Sequence, residues 1–149
     1  MNVAIRLQCK KLTETAKLPS KAHNEDAAYD LFADIPTGSL HIPAGETRIV
    51  PTGMAIMPPK GWSCDIRGRS GMSSKGRLVA LGLVDAYYTG PWGIILFNST
   101  PDTLTINHHD KIAQFTVNRV NDSILDIVNE FDIPDNARGA GGFGSTGQK

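Results

Sequence analysis

The sequence predicts an all-β fold, a sandwich, jelly roll or distorted barrel, from three observations. Short runs alternate apolar with polar residues, these runs are rich in β-branched and aromatic side chains, and 15 glycines and 9 prolines punctuate a chain of 149 residues. Strand-like runs at close spacing, each bounded by turn formers, are the pattern of sandwiches and barrels.

At the N-terminus Val3, Ile5 and Leu7 alternate with Asn2, Ala4 and Arg6, which predicts a first strand. Further strands are predicted at Arg48-Ile49-Val50, Met54-Ala55-Ile56-Met57, Ile94-Ile95-Leu96-Phe97, Thr103-Leu104-Thr105-Ile106 and Ile112-Ala113-Gln114-Phe115-Thr116-Val117. Only two stretches look helical. Residues 71–76 have room for a turn or two, and residues 123–130, with Ile124, Ile127 and Val128 at three/four spacing, read equally as a short helix or an edge strand. Five of the last thirteen residues, 137–149, are glycine, with no apolar face to dock. The expected organisation is one domain over residues 1–136 and a mobile arm over 137–149, ordered only by a ligand or a neighbouring subunit.

Charge narrows the partners. Lys plus Arg and Asp plus Glu are equal at 15 each, so no polybasic face is available for a long nucleic acid or an anionic membrane. A small anion held by a few placed groups is compatible with that balance. Two cysteines, Cys9 and Cys64, are fewer than a secreted disulfide scaffold carries, and no stretch approaches transmembrane length, so a reduced, intracellular protein is expected.

Four segments carry candidate chemistry. The arm reads Arg138-Gly139-Ala140-Gly141-Gly142-Phe143-Gly144-Ser145-Thr146. Its glycines let backbone N–H groups converge on phosphate oxygens, Arg138, Ser145 and Thr146 add donors, and Phe143 offers a flat face to a base. The spacing of Gly139, Gly141 and Gly144 matches a dinucleotide fingerprint literally, but too little chain follows for the helix that motif requires. In Arg67-Gly68-Arg69-Ser70-Gly71 with Lys75, cations and a hydroxyl meet at the entry to a helical turn, an anion site by construction. Gly82-Leu83-Val84-Asp85-Ala86-Tyr87-Tyr88-Thr89-Gly90 sets a carboxylate at the rim of an apolar wall, where it suits accepting a proton from water. Asp30 and Gln114 lie inside strand-like apolar runs and need polar partners there. His108-His109 lacks a spaced third ligand and reads as a turn.

In this order the segments resemble the five motifs of the trimeric dUTP pyrophosphatases, with residues 27–33, Arg69-Ser70-Gly71, residues 82–90, Ile112-Ala113-Gln114 and residues 138–147 as counterparts. The resemblance implies a jelly-roll protomer in a homotrimer with active sites shared between subunits, and Mg²⁺-assisted hydrolysis of dUTP to dUMP and pyrophosphate. It implies that Asp85 activates the attacking water with Gln114 assisting, and that Tyr88 lies under the deoxyribose. Backbone groups of Gly82 and Leu83 would read the uracil edge. Arg69, Ser70 and Gly71 would hold the inner phosphates, Arg138, Gly144, Ser145 and Thr146 the outer one, and Phe143 would stack on the base. Asp30 is a supporting residue, and Mg²⁺ would ride on the phosphates without a direct protein ligand. Departures from the pattern are Gly68 for a proline, Ala28 for a glycine, Tyr87 and Thr89 for an acid and an arginine, and His109 and Lys111 for a glycine and an arginine. Two other functions compete: a catalytically inactive nucleotide-sensing or protein-binding trimer, and a deoxycytidine triphosphate deaminase. The second would need an acid in the strand at residues 93–98, which has none.

Overall fold

The computed structural model describes residues 4–144 and Gly147. Its elements run β1 (Gln8–Lys11), β2 (Tyr29–Phe32), β3 (Ser39–Ile42), β4 (Thr47–Pro51), β5 (Met54–Met57), β6 (Trp62–Arg67), α1 (Ser70–Ser73), β7 (Arg77–Val79), β8 (Gly82–Val84), β9 (Gly93–Asn98), β10 (Leu104–Asn107) and β11 (Lys111–Arg119). All strand pairs are antiparallel. A four-stranded sheet, β2-β11-β6-β8, and a three-stranded sheet, β4-β9-β7, are joined by the ribbons β1-β5 and β10-β3 into a jelly-roll-like distorted barrel.

Alternation builds the core. In β9, Ile94 and Leu96 point inward while Ile95 and Phe97 face out. They meet Val50, Ile56, Cys64, Ile66 and Ile112 in one contiguous apolar cluster. Each such side chain, fully buried, contributes about 1.5–3 kcal/mol by leaving water. Trp92 packs edge-on to Phe115 with centroids 5.0 Å apart, and its indole N–H donates to the Ile56 carbonyl at 3.1 Å. Both cysteines are free; burial, with the Asp65 charge beside it, pushes the Cys64 thiol up to about 11.

The edge of β2 is protected by the preceding loop, which runs back along it. Thr13 and Thr15 donate to Asp34, Lys17 lies over the Phe32 ring at 4.3 Å, Ser20 bridges Asp30, and Lys21 lies over Tyr29 at 4.8 Å. A covered edge cannot recruit a stray strand.

Two expectations are corrected. Residues 4–7 form no strand, and Val3 lies outside the described residues. Pairing starts where Gln8 faces Met57. Continuing the register would set the preceding residues against Pro58 and Pro59, which have no N–H to donate. Residues 123–130 are neither helix nor strand. Ile124, Ile127 and Val128 stay exposed because no strand among the described residues pairs with them, and two turns alone do not repay helix nucleation.

Candidate functional site

Register assembles a cationic cleft on the four-stranded sheet. Gln114 on β11 stands opposite Asp30 on β2 and opposite Arg67 on β6, so the three side chains form a row on one face. In a regular strand Lys111 and Gln114 would point to opposite faces. A bulge between Lys111 and Ala113 changes the parity: Ile112 and Ala113 are both buried, and Lys111 joins Gln114 on the cleft side. The cleft, about 440 Å³, is also lined by Arg69, Ser70 and Gly71.

Asp30 is the hub. Its carboxylate takes Arg69 Nε at 3.1 Å on one oxygen and Lys111 Nζ at 3.2 Å on the other, and its side chain is only 14% exposed. A carboxylate this buried needs such partners. In return it fixes two cations that would otherwise sample many rotamers. Gln114 Nε2 donates to the Gly68 carbonyl at 2.9 Å, tying β11 to the loop that carries Arg69. Arg69, in extended backbone, is the N-cap of α1, whose first-turn N–H groups at Ser70 and Gly71 have no intrahelical acceptor and border the cleft. Three cations and free N–H donors around one volume suit a chain of phosphates.

A larger cavity, about 840 Å³, lies beneath residues 4–9 against Tyr29, Ile56 and Phe115. Its lining is mostly apolar and, among the described residues, holds no carboxylate, whereas the smaller cleft gathers charged groups of both signs.

The third segment forms a separate surface. Gly82 sits in β8 opposite Ile66, and a Cβ there would come within 3.2 Å of the Ile66 side chain, a contact tight enough that the side chain would have to shift by a few tenths of an ångström. β8 is the sheet edge, and Leu83 projects into solvent. Asp85 is exposed where β8 ends. Tyr88 folds back over Gly90, where any Cβ would collide with the ring, and its hydroxyl donates to the Pro91 carbonyl at 3.3 Å. Tyr87 adopts φ +66°, a left-handed conformation that costs a residue bearing a Cβ about 1–2 kcal/mol.

The single chain therefore brings together Asp30, Arg69, Ser70, Gly71 and Gln114, but not all the expected site residues. Gly82, Leu83, Asp85 and Tyr88 do not line the cleft, nor do Arg138, Phe143 and Gly144, which are exposed on the arm apart from a half-buried Gly141. Ser145 and Thr146 lie outside the described residues. Arg67, one of the cations of the second segment, also lines the cleft, and so do Lys111, Asp26 and Thr116, which the sequence does not mark as site residues. A strand's length and turn residues give no register, and the bulge that turns Lys111 inward leaves no mark in composition.

His108 and His109 form the turn that the sequence suggests. His108 Nδ1 accepts the Ile35 N–H at 2.9 Å, and His109 Nε2 lies 2.8 Å from the Thr15 carbonyl. Among the described residues no three His, Cys, Asp or Glu side chains gather as a metal cage. Mg²⁺ commonly keeps waters and can be carried largely by substrate phosphates, a mode that needs no such cage.

Comparison with known proteins gives the same assignment. A family model described as dUTPase matches residues 14–147. The chain is 40% identical over 147 residues to a deoxyuridine 5'-triphosphate nucleotidohydrolase of Gloeothece citriformis, covering 96% of this chain and 97% of that one. It is 38% identical over 144 residues to the protein of that name from Clostridioides difficile, at 95% and 97% coverage. Among solved structures, a Staphylococcus bacteriophage 80alpha dUTPase bound to dUpNHpp superposes with a TM-score of 0.86 at 26% identity, over 96% of this chain and 99% of that one. A dUTPase from phage phi11 of S. aureus, described with a structural Mg(II) ion, gives 0.78 at 27% identity, over 86% and 99%. With its family model spanning the domain and its relatives matched nearly end to end, this chain belongs to the dUTPase family.

Proposed function

We propose that the protein hydrolyses dUTP to dUMP and pyrophosphate, in sites that three copies of the chain build jointly. The observation that carries this reading is the cleft itself: Arg69 and Lys111 paired on Asp30, with Arg67 lining the same volume beside the open N–H groups of Ser70 and Gly71.

Attack of water at the α-phosphate develops negative charge on the departing pyrophosphate, and preorganised donors are worth most at that position. Arg69, Ser70 and Gly71 hold the phosphates while Gln114, anchored on Gly68, keeps their loop in place. Mg²⁺ carried by the phosphates would supply further charge neutralisation there. Asp85 orients and deprotonates the water. The Tyr88 ring, braced against Gly90, forms the floor for deoxyribose and leaves no room for a 2′-hydroxyl. The outer edge of β8, at Gly82 and Leu83, presents backbone donors and acceptors to the uracil. Arg138, Gly144, Ser145 and Thr146 close on the outermost phosphate and Phe143 on the base, excluding bulk water.

Sharing between copies is supported by the separation of the third segment and the arm from the cleft. It is supported too by exposed apolar surface: Ile49 beside Ile95 and Leu78 beside Phe97 on the outer face of β4-β9-β7, and Ile124, Leu125, Ile127 and Phe131 in the irregular segment after β11. Surface of that kind marks an interface.

Turnover of dUTP with Mg²⁺, read as pyrophosphate release, tests the reaction; binding without turnover would favour the sensing trimer, and ammonia from dCTP the deaminase. Sharing is tested by co-assembling Asp85→Ala chains with chains truncated before Ala137. Each variant alone is expected to be inactive, and the mixture to recover activity. No recovery in mixed trimers would confine each site to one chain.

A further inference from the structure

Tyr87 occupies a backbone position that favours glycine, and the chain gains nothing visible from its ring. The Tyr88 N–H donates to the Asp85 carbonyl at 3.2 Å, closing a four-residue turn in which Tyr87 is third, at φ +66°. Turns with a positive φ at the third residue select glycine or asparagine. The conformation is locked, since the Tyr87 N–H donates to the Pro58 carbonyl at 3.0 Å. Tyr87 as a whole is 62% exposed. The described aromatic pairs are Tyr29–Phe115, Trp92–Phe115 and His108–His109, so Tyr87 stacks on none of these rings.

Its neighbour shows the contrast. Tyr88 is braced by Gly90 and by its hydrogen bond to Pro91, a fixed floor. Tyr87 has no such support, although both leave the same turn just after Asp85. Acids, which commonly stand here in the family pattern, tolerate left-handed backbone better than tyrosine does. Strain held in place by surrounding structure concentrates where a side chain has a task. An exposed aromatic ring on a fixed backbone beside the proposed nucleoside floor has an obvious one, because every base and sugar offers a flat or apolar face to it.

We propose that Tyr87 is a binding residue for the nucleoside end of the substrate, supplying a second aromatic face beside the Tyr88 floor. The proposal rests on the dUTP reading above, with turnover by the parent protein testing that reading and variants testing Tyr87.

The variants are Tyr87→Gly, which relieves the backbone and removes the ring, and Tyr87→Phe, which keeps the ring. For Tyr87→Gly the KM for dUTP and the Kd for dUMP should rise together, by roughly 5- to 20-fold, the lower range for one base–aromatic stack. Its kcat, melting temperature and inhibition by pyrophosphate should not worsen, and Tyr87→Phe should behave as the parent. Unchanged KM and dUMP affinity in Tyr87→Gly would overturn the proposal. So would loss of the assembly's mass in that variant, which would make the ring a subunit contact.

Discussion

Gln114 and Gly68 are joined by a 2.9 Å hydrogen bond from the side-chain amide to the backbone carbonyl, and this contact ties β11 to the loop that carries Arg69. Gly68 stands where the family pattern has proline, so the loop lacks that ring's rigidity and depends the more on Gln114. Gln114→Glu would put a carboxylate oxygen against the carbonyl. Leaving that pair unsatisfied costs about 1–3 kcal/mol, so the KM for dUTP should rise about 10- to 100-fold with the fold intact. Steady-state kinetics beside a melting curve checks this, and an unchanged KM would remove Gln114 from the positioning role.

Asp85 is the acid proposed to take the proton of the attacking water. Asp85→Asn keeps the shape and removes the base, so kcat should fall about 10²- to 10⁴-fold. Binding of a non-hydrolysable dUTP analogue, followed by calorimetry, should change little. Retained turnover would assign the base elsewhere.

Asp34 should govern acid stability. Burial by itself raises this carboxyl, but hydrogen bonds from Thr13 and Thr15 and the nearby His108 and His109 outweigh it and hold it below the usual carboxylate range. A depressed carboxyl contributes its full stabilisation above the unfolded value of about 3.9, and the contribution is lost as pH falls through the folded one. Urea midpoints should therefore drop steeply below about pH 4. Asp34→Asn should start lower at neutral pH and lack that part of the slope; a parallel acid limb in the variant would show that other carboxyls dominate.

The arm should be dispensable for folding. Arg138, Gly139, Ala140 and Phe143 are exposed, and Phe143 packs on none of the described aromatic rings. Truncation before Ala137 should leave the melting temperature and assembly unchanged. Activity should fall at least about 10²-fold, as when a single preorganised donor is lost from a reacting centre. Normal hydrolysis by the truncated protein would end the closing-arm model.

Much of the fold and part of the site can be read from the residues alone. Alternation around Ile94 and Leu96, and the glycines and prolines between runs, suffice for an all-β domain because side-chain direction in a strand follows from its period of two. The segments that hold Arg69, Ser70, Asp85 and Gln114 point to the family only together and in their order along the chain, and the family model matches residues 14–147. The N-terminal strand begins at Gln8, beyond the alternating run at Val3, Ile5 and Leu7, because alternation sets a pattern without a partner, and the partner strand ends before two prolines.

The sequence by itself determined the strand-rich class, the family and the chemical vocabulary of the site, since all three depend on residue identity and local period. Only the tertiary structure decided that Asp30 binds both Arg69 and Lys111, that a bulge turns Lys111 to the Gln114 side, and that Tyr87 is held at positive φ. These depend on register and on contacts between residues tens of positions apart, which a one-dimensional pattern does not encode.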